Sequence, residues 1–148
     1  MGVSERKFGT LPTGEEIKIY HLENKSGAYA EVLSFGAILA KICVPDKNGE
    51  LRDVVLGYDD IEGYEVNGCF FGAIIGRSGN RIENARFFID DKEVVLAENE
   101  NHNNLHSGPN GFEKKLWEVK EISQEKNSVD FFRISPDGEN GFPGEFTV

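Results

Sequence analysis

Turn-forming residues recur at short intervals in this chain, and we find no good candidate for a helix of ordinary length. Gly, Asn or Pro interrupts most candidate helical windows. The clearest turn signals are residues 12–14 (PTG), 24–27 (NKSG), 46–49 (DKNG), 90–91 (DD) and 136–138 (PDG). Seventeen glycines agree with this pattern. The spacing therefore predicts a chain built mainly from short strands.

The runs between these turns are rich in β-branched and aromatic residues, which favour strands. We predict strands over residues 17–20, 29–33, 38–44, 54–56, 86–89, 93–96, 117–122 and 129–134. Many short strands at this spacing are typical of an antiparallel sandwich or barrel. We therefore predict an all-β fold, with Trp117 as a core residue next to a strand.

Composition narrows the classes of partner. A hydrophobic fraction of 39% and eleven Phe residues indicate a folded globular chain. The net charge of -10 disfavours binding to nucleic acid or to an anionic membrane surface. The first residues contain no apolar segment typical of a signal peptide, and no apolar run is long enough to cross a bilayer. We therefore expect a cytoplasmic protein without nucleic-acid or membrane partners.

The two cysteines give no sign of a disulfide or a metal site. Cys43 and Cys69 occur in different apolar segments, without a CxxC spacing. We predict that both are buried, reduced thiols.

Residues 72–82 concentrate two arginines, one asparagine and three glycines in one short stretch. Asn80 and Arg81 offer amide and guanidinium donors, which suit the neighbouring hydroxyls of a sugar. The glycine spacing does not match a phosphate-binding loop. Taken alone, Arg77 and Arg81 are better explained as ordinary surface ion pairs to the many acidic residues than as ligand contacts.

Residues 99–112 are unusually polar and contain two of the three histidines beside several asparagines. Such planar polar groups suit a sugar site on a loop. His102 and His106 stand four apart, but the Asn-rich sequence is a poor helix, so we expect no zinc site. His106 alone is also compatible with a structural role, and we expect His21 to be structural. In residues 136–139, Asp137 and Glu139 are expected to be solvated carboxylates of a turn.

Several segments, in order along the chain, resemble one known family, the aldose 1-epimerases. They are residues 35–37 (FGA), 53–58 (DVVLGY), 76–82 (GRSGNRI), 104–108 (NLHSG) followed by 111–114 (GFEK) and Trp117, and 135–144 (SPDGENGFPG). Each motif alone is weak, but the ordered set covers essentially the whole chain. Ser107 departs from the Gly that follows His in the family's LHGG pattern, while His106 is kept.

The resemblance implies an antiparallel β-sandwich of the galactose mutarotase type, with residues 1–148 as the N-terminal part of a single domain. It implies an isomerase that interconverts α- and β-anomers of hexoses such as galactose and glucose, without a metal or another cofactor. Carried across by position, Asn80 and Arg81 match the family's substrate-contacting pair. His106 matches its hydroxyl-binding histidine.

The residues that carry the chemistry in the resembling family have no counterpart in this chain. In that family the general base is a glutamate, and the general acid is a second histidine in a segment of the type N-H-x-Y-F-N-L. This segment does not occur in the present sequence. We expect both beyond Val148 and therefore expect this chain alone to be inactive. The alternatives are a non-catalytic carbohydrate-binding protein, one subunit of a split epimerase, and a small β-rich interaction module.

The last residues, 144–148, resemble a strand that has only begun. We therefore expect this chain to be a piece of a longer protein. Such a piece would expose an apolar strand edge, so we also expect self-association or binding of a complementary C-terminal chain.

Overall fold

The computed structural model describes residues 2–148, and nearly all of its regular structure is antiparallel strand. The strands are β1 (Gly2–Thr10), β2 (Glu16–Glu23), β3 (Tyr29–Leu33), β4 (Leu39–Pro45), β5 (Leu51–Asp53), β6 (Arg81–Ile82), β7 (Arg86–Ile89), β8 (Lys92–Val95), β9 (Asn104–Leu105), β10 (Glu118–Ser123), β11 (Ser128–Phe132), β12 (Ile134–Ser135) and β13 (Phe146–Thr147). One short helix, α1, covers Ile61–Val66, and 3₁₀ turns cover Glu83–Ala85, Phe112–Lys114 and Glu139–Gly141. The predicted all-β antiparallel class is confirmed.

The first five strands form one sheet in chain order, each antiparallel to the next. Ile17 and Ile19 of β2 lie two residues apart, so both point to the same face, where they pack with Leu33 of β3. All three are at most 1% exposed. The alternation of buried and solvated positions therefore fixes which face of this sheet forms the main core.

Helix α1 covers this core with Ile61 and Tyr64. It begins at Asp60, whose carboxylate accepts the N–H of Gly63 at 2.9 Å, as an N-cap residue does. At the other end, Lys114 donates to the carbonyl oxygens of the last turn, which would otherwise lack partners. Lys114 thus joins the helix to the segment that follows the polar loop.

The remaining strands pair two by two: β6 with β9, β7 with β8, β10 with β11, and β12 with β13. Two small cores support them. Ala85, Leu96 and Phe142 form one, and Ala37, Phe112 and Trp117 form the other. As predicted, Trp117 is a core residue, and its indole N–H donates to the carbonyl of Phe112 at 3.2 Å. No helix within residues 2–148 has the length and apolar character required to cross a bilayer.

Two sequence predictions about these segments are wrong. Residues 54–56 are not a strand, because the Asp53 carboxylate accepts the N–H groups of Ile42 and Val55 and so ends the pairing at β5. Cys69 is exposed, because it lies in the turns that follow α1, whereas Cys43 is buried in β4 as predicted.

Candidate functional site

Asn80, Arg81 and His106 meet where β6 pairs with β9. Arg81 lies opposite Leu105 in the antiparallel register. The next residue on each side is left-handed, with φ of 60° at Asn80 and 54° at His106. Two hydrogen bonds nevertheless join them. The His106 N–H donates to the Asn80 carbonyl at 2.9 Å, and the Asn80 N–H donates to His106 Nδ1 at 3.0 Å. The predicted residues are thus neighbours in space.

The second of these hydrogen bonds fixes the tautomer of His106. A ring nitrogen that accepts a backbone N–H carries no proton, so the neutral ring has its proton on Nε2. The ring also packs edge-to-face against Phe70, with centroids 4.8 Å apart. His106 therefore presents Nε2–H as a hydrogen-bond donor in a fixed direction.

Glu100 holds the guanidinium of Arg81, a contact that sequence analysis did not find. Arg81 donates from Nε and from one terminal nitrogen to the two Glu100 oxygens, each at 3.1 Å. Its other terminal nitrogen donates to the Asn80 side chain at 3.4 Å. Its hydrogen bond with Arg81 lowers the pKa of the Glu100 carboxyl below its ordinary value. Of the five N–H groups of Arg81, two remain for a ligand.

The other arginine of the same loop has a structural role. Arg77 donates to the Ser135 hydroxyl at 2.8 Å and to the carbonyl oxygens of Ser135, Pro136 and Pro143 at 2.7 to 3.1 Å. Within residues 2–148, Arg77 forms no ion pair of the kind that is ordinary for an isolated surface arginine. Instead, the hydrogen bonds of Arg77 connect the loop of residues 76–80 to the turn after β12.

The prediction of two solvated carboxylates in that turn is wrong for Glu139. Its side chain is only 13% exposed and pairs with Arg133, which is 8% exposed, at 2.8 Å. Burial acts to raise the pKa of Glu139, but hydrogen bonds from Arg133 and Ser135 outweigh it, so the pKa lies below its ordinary value. Asp137 is exposed, as expected, and accepts the N–H of Gly144. Glu139 is therefore part of the support of the site.

The two other histidines lie apart from this arrangement. The His102 side chain is 85% exposed and contacts Glu98 at 2.9 Å. His21 lies on β2 between Glu23 and Glu31. Within residues 2–148, no group of three or more His, Cys, Asp or Glu residues is arranged to hold a metal ion.

The profile of the aldose 1-epimerase family matches residues 18–148. The chain belongs to this family. It is 40% identical over 149 residues to galactose mutarotase of Bos taurus and 42% identical over 147 residues to that of Homo sapiens. These alignments cover 100% and 99% of the chain. It is also 36% identical over 133 residues to aldose 1-epimerase of Escherichia coli (strain K12), across 90% of the chain.

Solved structures place the fold in the same family. An aldose epimerase homologue from C. elegans superposes with a TM-score of 0.81 at 38% identity, covering 87% of this chain and 39% of that one. Galactose 1-epimerase from Lactobacillus acidophilus NCFM gives a TM-score of 0.80 at 24% identity, covering 98% of this chain and 42% of that one. The predicted galactose mutarotase-like β-sandwich is confirmed.

The chain spans only part of its relatives. The alignments cover 42% of the bovine and human galactose mutarotases and 38% of the Escherichia coli enzyme, and this share corresponds to the N-terminal half. The family assignment made from the motifs is therefore confirmed. The prediction that the chain corresponds to the N-terminal half of such proteins is confirmed as well. The role of Asn80, Arg81 and His106 as sugar contacts stays a prediction.

Proposed function

We propose that this chain supplies the hexose-binding part of an aldose 1-epimerase acting on sugars such as galactose or glucose. The observation that carries the proposal is the meeting of Asn80, Arg81 and His106 at one end of the β6–β9 pair, each held by hydrogen bonds. A binding site for a neutral sugar needs fixed donors and acceptors at defined positions, and these three side chains provide them.

The donors of this site suit the oxygen atoms of a hexose. His106 offers one N–H, and the planar guanidinium of Arg81 keeps two N–H groups that contact neither Glu100 nor Asn80. Adjacent sugar hydroxyls accept from such a pair much as the two oxygens of a carboxylate do. Glu100 neutralises the charge of Arg81, so the site does not demand an anionic ligand.

Interconversion of anomers needs a base for the C1 hydroxyl and an acid for the ring oxygen. Glu100, the carboxylate that contacts Arg81, is a poor base because its hydrogen bond with Arg81 favours the ionised form. His106 uses Nδ1 as an acceptor for Asn80 and is set as a donor. We therefore propose that acid and base come from outside residues 1–148, and that this chain alone binds hexose without accelerating mutarotation.

The test follows the approach of fresh α-D-galactose to anomeric equilibrium by polarimetry, together with an NMR titration of the ¹⁵N-labelled chain with galactose. We expect the buffer rate of mutarotation, and shifts of the Asn80 and Leu105 amides that saturate. Arg81→Ala should abolish these shifts, while Arg52→Ala, on the exposed β5, should not change them. Acceleration above the buffer rate would show that acid and base lie within these residues.

A split epimerase is a second candidate, favoured because Glu100 is held ionised by Arg81 and His106 Nδ1 already accepts the Asn80 N–H, so neither is placed to act as the base. In that case, a complementary chain would restore mutarotation when added to this one. Galactose binding without any such restoration would favour a non-catalytic carbohydrate-binding protein. Absence of galactose-induced shifts would contradict all three versions.

A further inference from the structure

The hydroxyl of Ser107 ties together the two loops that carry the candidate sugar contacts. Ser107 directly follows His106 and is 1% exposed. Its Oγ accepts the N–H of Ser78 at 2.6 Å and donates to the carbonyl of Ser78 at 3.0 Å. One hydroxyl can do both, since it has one proton and two lone pairs. Because Ser78 is two residues before Asn80, this tie lies beside the Asn80–His106 pair.

The backbone makes only part of this connection, through the hydrogen bond from the His106 N–H to the Asn80 carbonyl. Regular pairing of β6 and β9 ends at Arg81 and Leu105. Beyond it, Asn80, His106 and Ser107 have φ of 60°, 54° and 70°, which turns their peptide groups away from extended-strand geometry. Side chains take over as acceptors, His106 Nδ1 for the N–H of Asn80 and Ser107 Oγ for the N–H of Ser78.

A left-handed conformation favours glycine, so a serine at φ 70° carries a conformational cost that its two hydrogen bonds offset. We propose that Ser107 is a positioning residue of the sugar site: its hydroxyl fixes the separation of Asn80 and His106. This inference rests on the proposed function, because the donors are useful only if a hexose binds to the side chains that these loops carry.

Two variants separate the hydroxyl from the backbone effect. Both Ser107→Gly and Ser107→Ala remove the tie, but glycine suits the left-handed backbone and alanine does not. If Ser107 positions the site, both variants weaken galactose binding roughly tenfold in NMR titrations of the 148-residue chain. At the same time, Ser107→Gly melts at a higher temperature than Ser107→Ala. A merely structural role would instead make affinity follow stability.

Hydrogen exchange gives a readout that does not depend on sugar. In both variants the Asn80 amide should exchange at least roughly tenfold faster, measured relative to the Ile19 amide of β2. The ¹⁵N shift of His106 Nδ1 should move away from that of a hydrogen-bonded acceptor. Ser34→Ala is the matched control, since the Ser34 hydroxyl accepts the N–H of Lys18 at 3.0 Å within the five-stranded sheet. It should lower stability and leave galactose affinity unchanged.

The inference is overturned if both Ser107 variants bind galactose with wild-type affinity, or if the Asn80 amide stays as protected as in the wild type. Failure of the proposed function has a different signature: the wild-type chain itself then shows no galactose-dependent shifts. In that event the proposal that Ser107 positions sugar contacts is also wrong. Hydrogen exchange of the Asn80 amide still reports whether the Ser107 hydroxyl holds the two loops together.

Discussion

The direction of the Arg81 guanidinium depends on a single carboxylate. Glu100 receives two of its N–H groups at 3.1 Å, in the planar geometry that fixes an arginine best. Glu100→Gln keeps the size of the side chain but offers only one acceptor oxygen and no charge. We expect galactose binding to weaken roughly fivefold, because Arg81 then samples other orientations. An NMR titration with galactose measures the change.

The same substitution should barely affect stability, because the pair is solvent-exposed and screened. Glu98→Gln is the matched control, since Glu98 forms its ion pair with the exposed His102 side chain and not with Arg81. It should bind galactose as the wild type does. Unchanged affinity in Glu100→Gln would show that Arg81 needs no anchor, or that it does not contact the sugar.

The turn between β12 and β13 is held by a buried ion pair. Arg133 and Glu139 are 8% and 13% exposed in their side chains, and the guanidinium of Arg133 stacks 4.5 Å from the ring centroid of Phe112. Removing one charge leaves the other buried and unpaired. Glu139→Gln should therefore lower the free energy of unfolding by about 3 kcal/mol at neutral pH, as measured by urea denaturation. Glu145→Gln, an exposed carboxylate after the same turn, should change it by less than about 0.5 kcal/mol.

The effect of Glu139 should also depend on pH in a defined direction. Its pKa in the folded chain lies below the ordinary value of 4.5. A carboxyl with a lowered folded-state pKa contributes stability that is fully present above its unfolded-state pKa. That contribution is lost as the pH falls through the folded-state pKa. The stability difference between the wild type and Glu139→Gln should thus be constant above about pH 5 and shrink in more acid solution. A difference that grew on acidification would contradict the pairing.

Local sequence determines the strands that lie between strong turn signals, and these could be predicted. Residues 29–33 and 86–89 form strands with the predicted bounds. Strand β1 was missed because its central residues are charged and exposed, as is common at a sheet edge, and only pairing with β2 makes it a strand. Residues 54–56 have strand-forming side chains, but their pairing with β4 stops after the hydrogen bond from the Val54 N–H to the Ile42 carbonyl. In both cases the deciding factor is a contact distant in sequence.

The candidate site likewise contains residues that the sequence predicts and residues that it does not. Motifs suffice to single out Asn80, Arg81 and His106, because their residue types and order match a known pattern. Glu100 could not be found by that means, and for Ser107 the motif shows only a departure from glycine, not a role for its hydroxyl. Glu100 matters only because it lies across from Arg81, and Ser107 only because its hydroxyl reaches Ser78. The local signal at Ser107 was the serine itself, which follows His106 where the family's pattern has glycine.

The molecule as a whole exposes apolar side chains where a strand-like segment has no partner. Val54 and Leu56 follow β5 and are 60% and 71% exposed. Unpaired, apolar, strand-forming segments at a sheet edge favour pairing with another chain. We therefore expect the 148-residue chain to self-associate reversibly, with a weight-average sedimentation coefficient that rises with protein concentration.

Leu56→Asp tests whether this segment is responsible. The substitution removes apolar surface and adds one negative charge to a chain whose net charge is already -10. Ser26→Asp adds the same charge in the exposed turn between β2 and β3, without removing apolar surface. If residues 54–56 drive association, Leu56→Asp sediments as a monomer at concentrations where Ser26→Asp still associates. Equal dissociation of both variants would assign the effect to charge repulsion, and a monomeric wild type at every concentration would show that these exposed side chains need no partner.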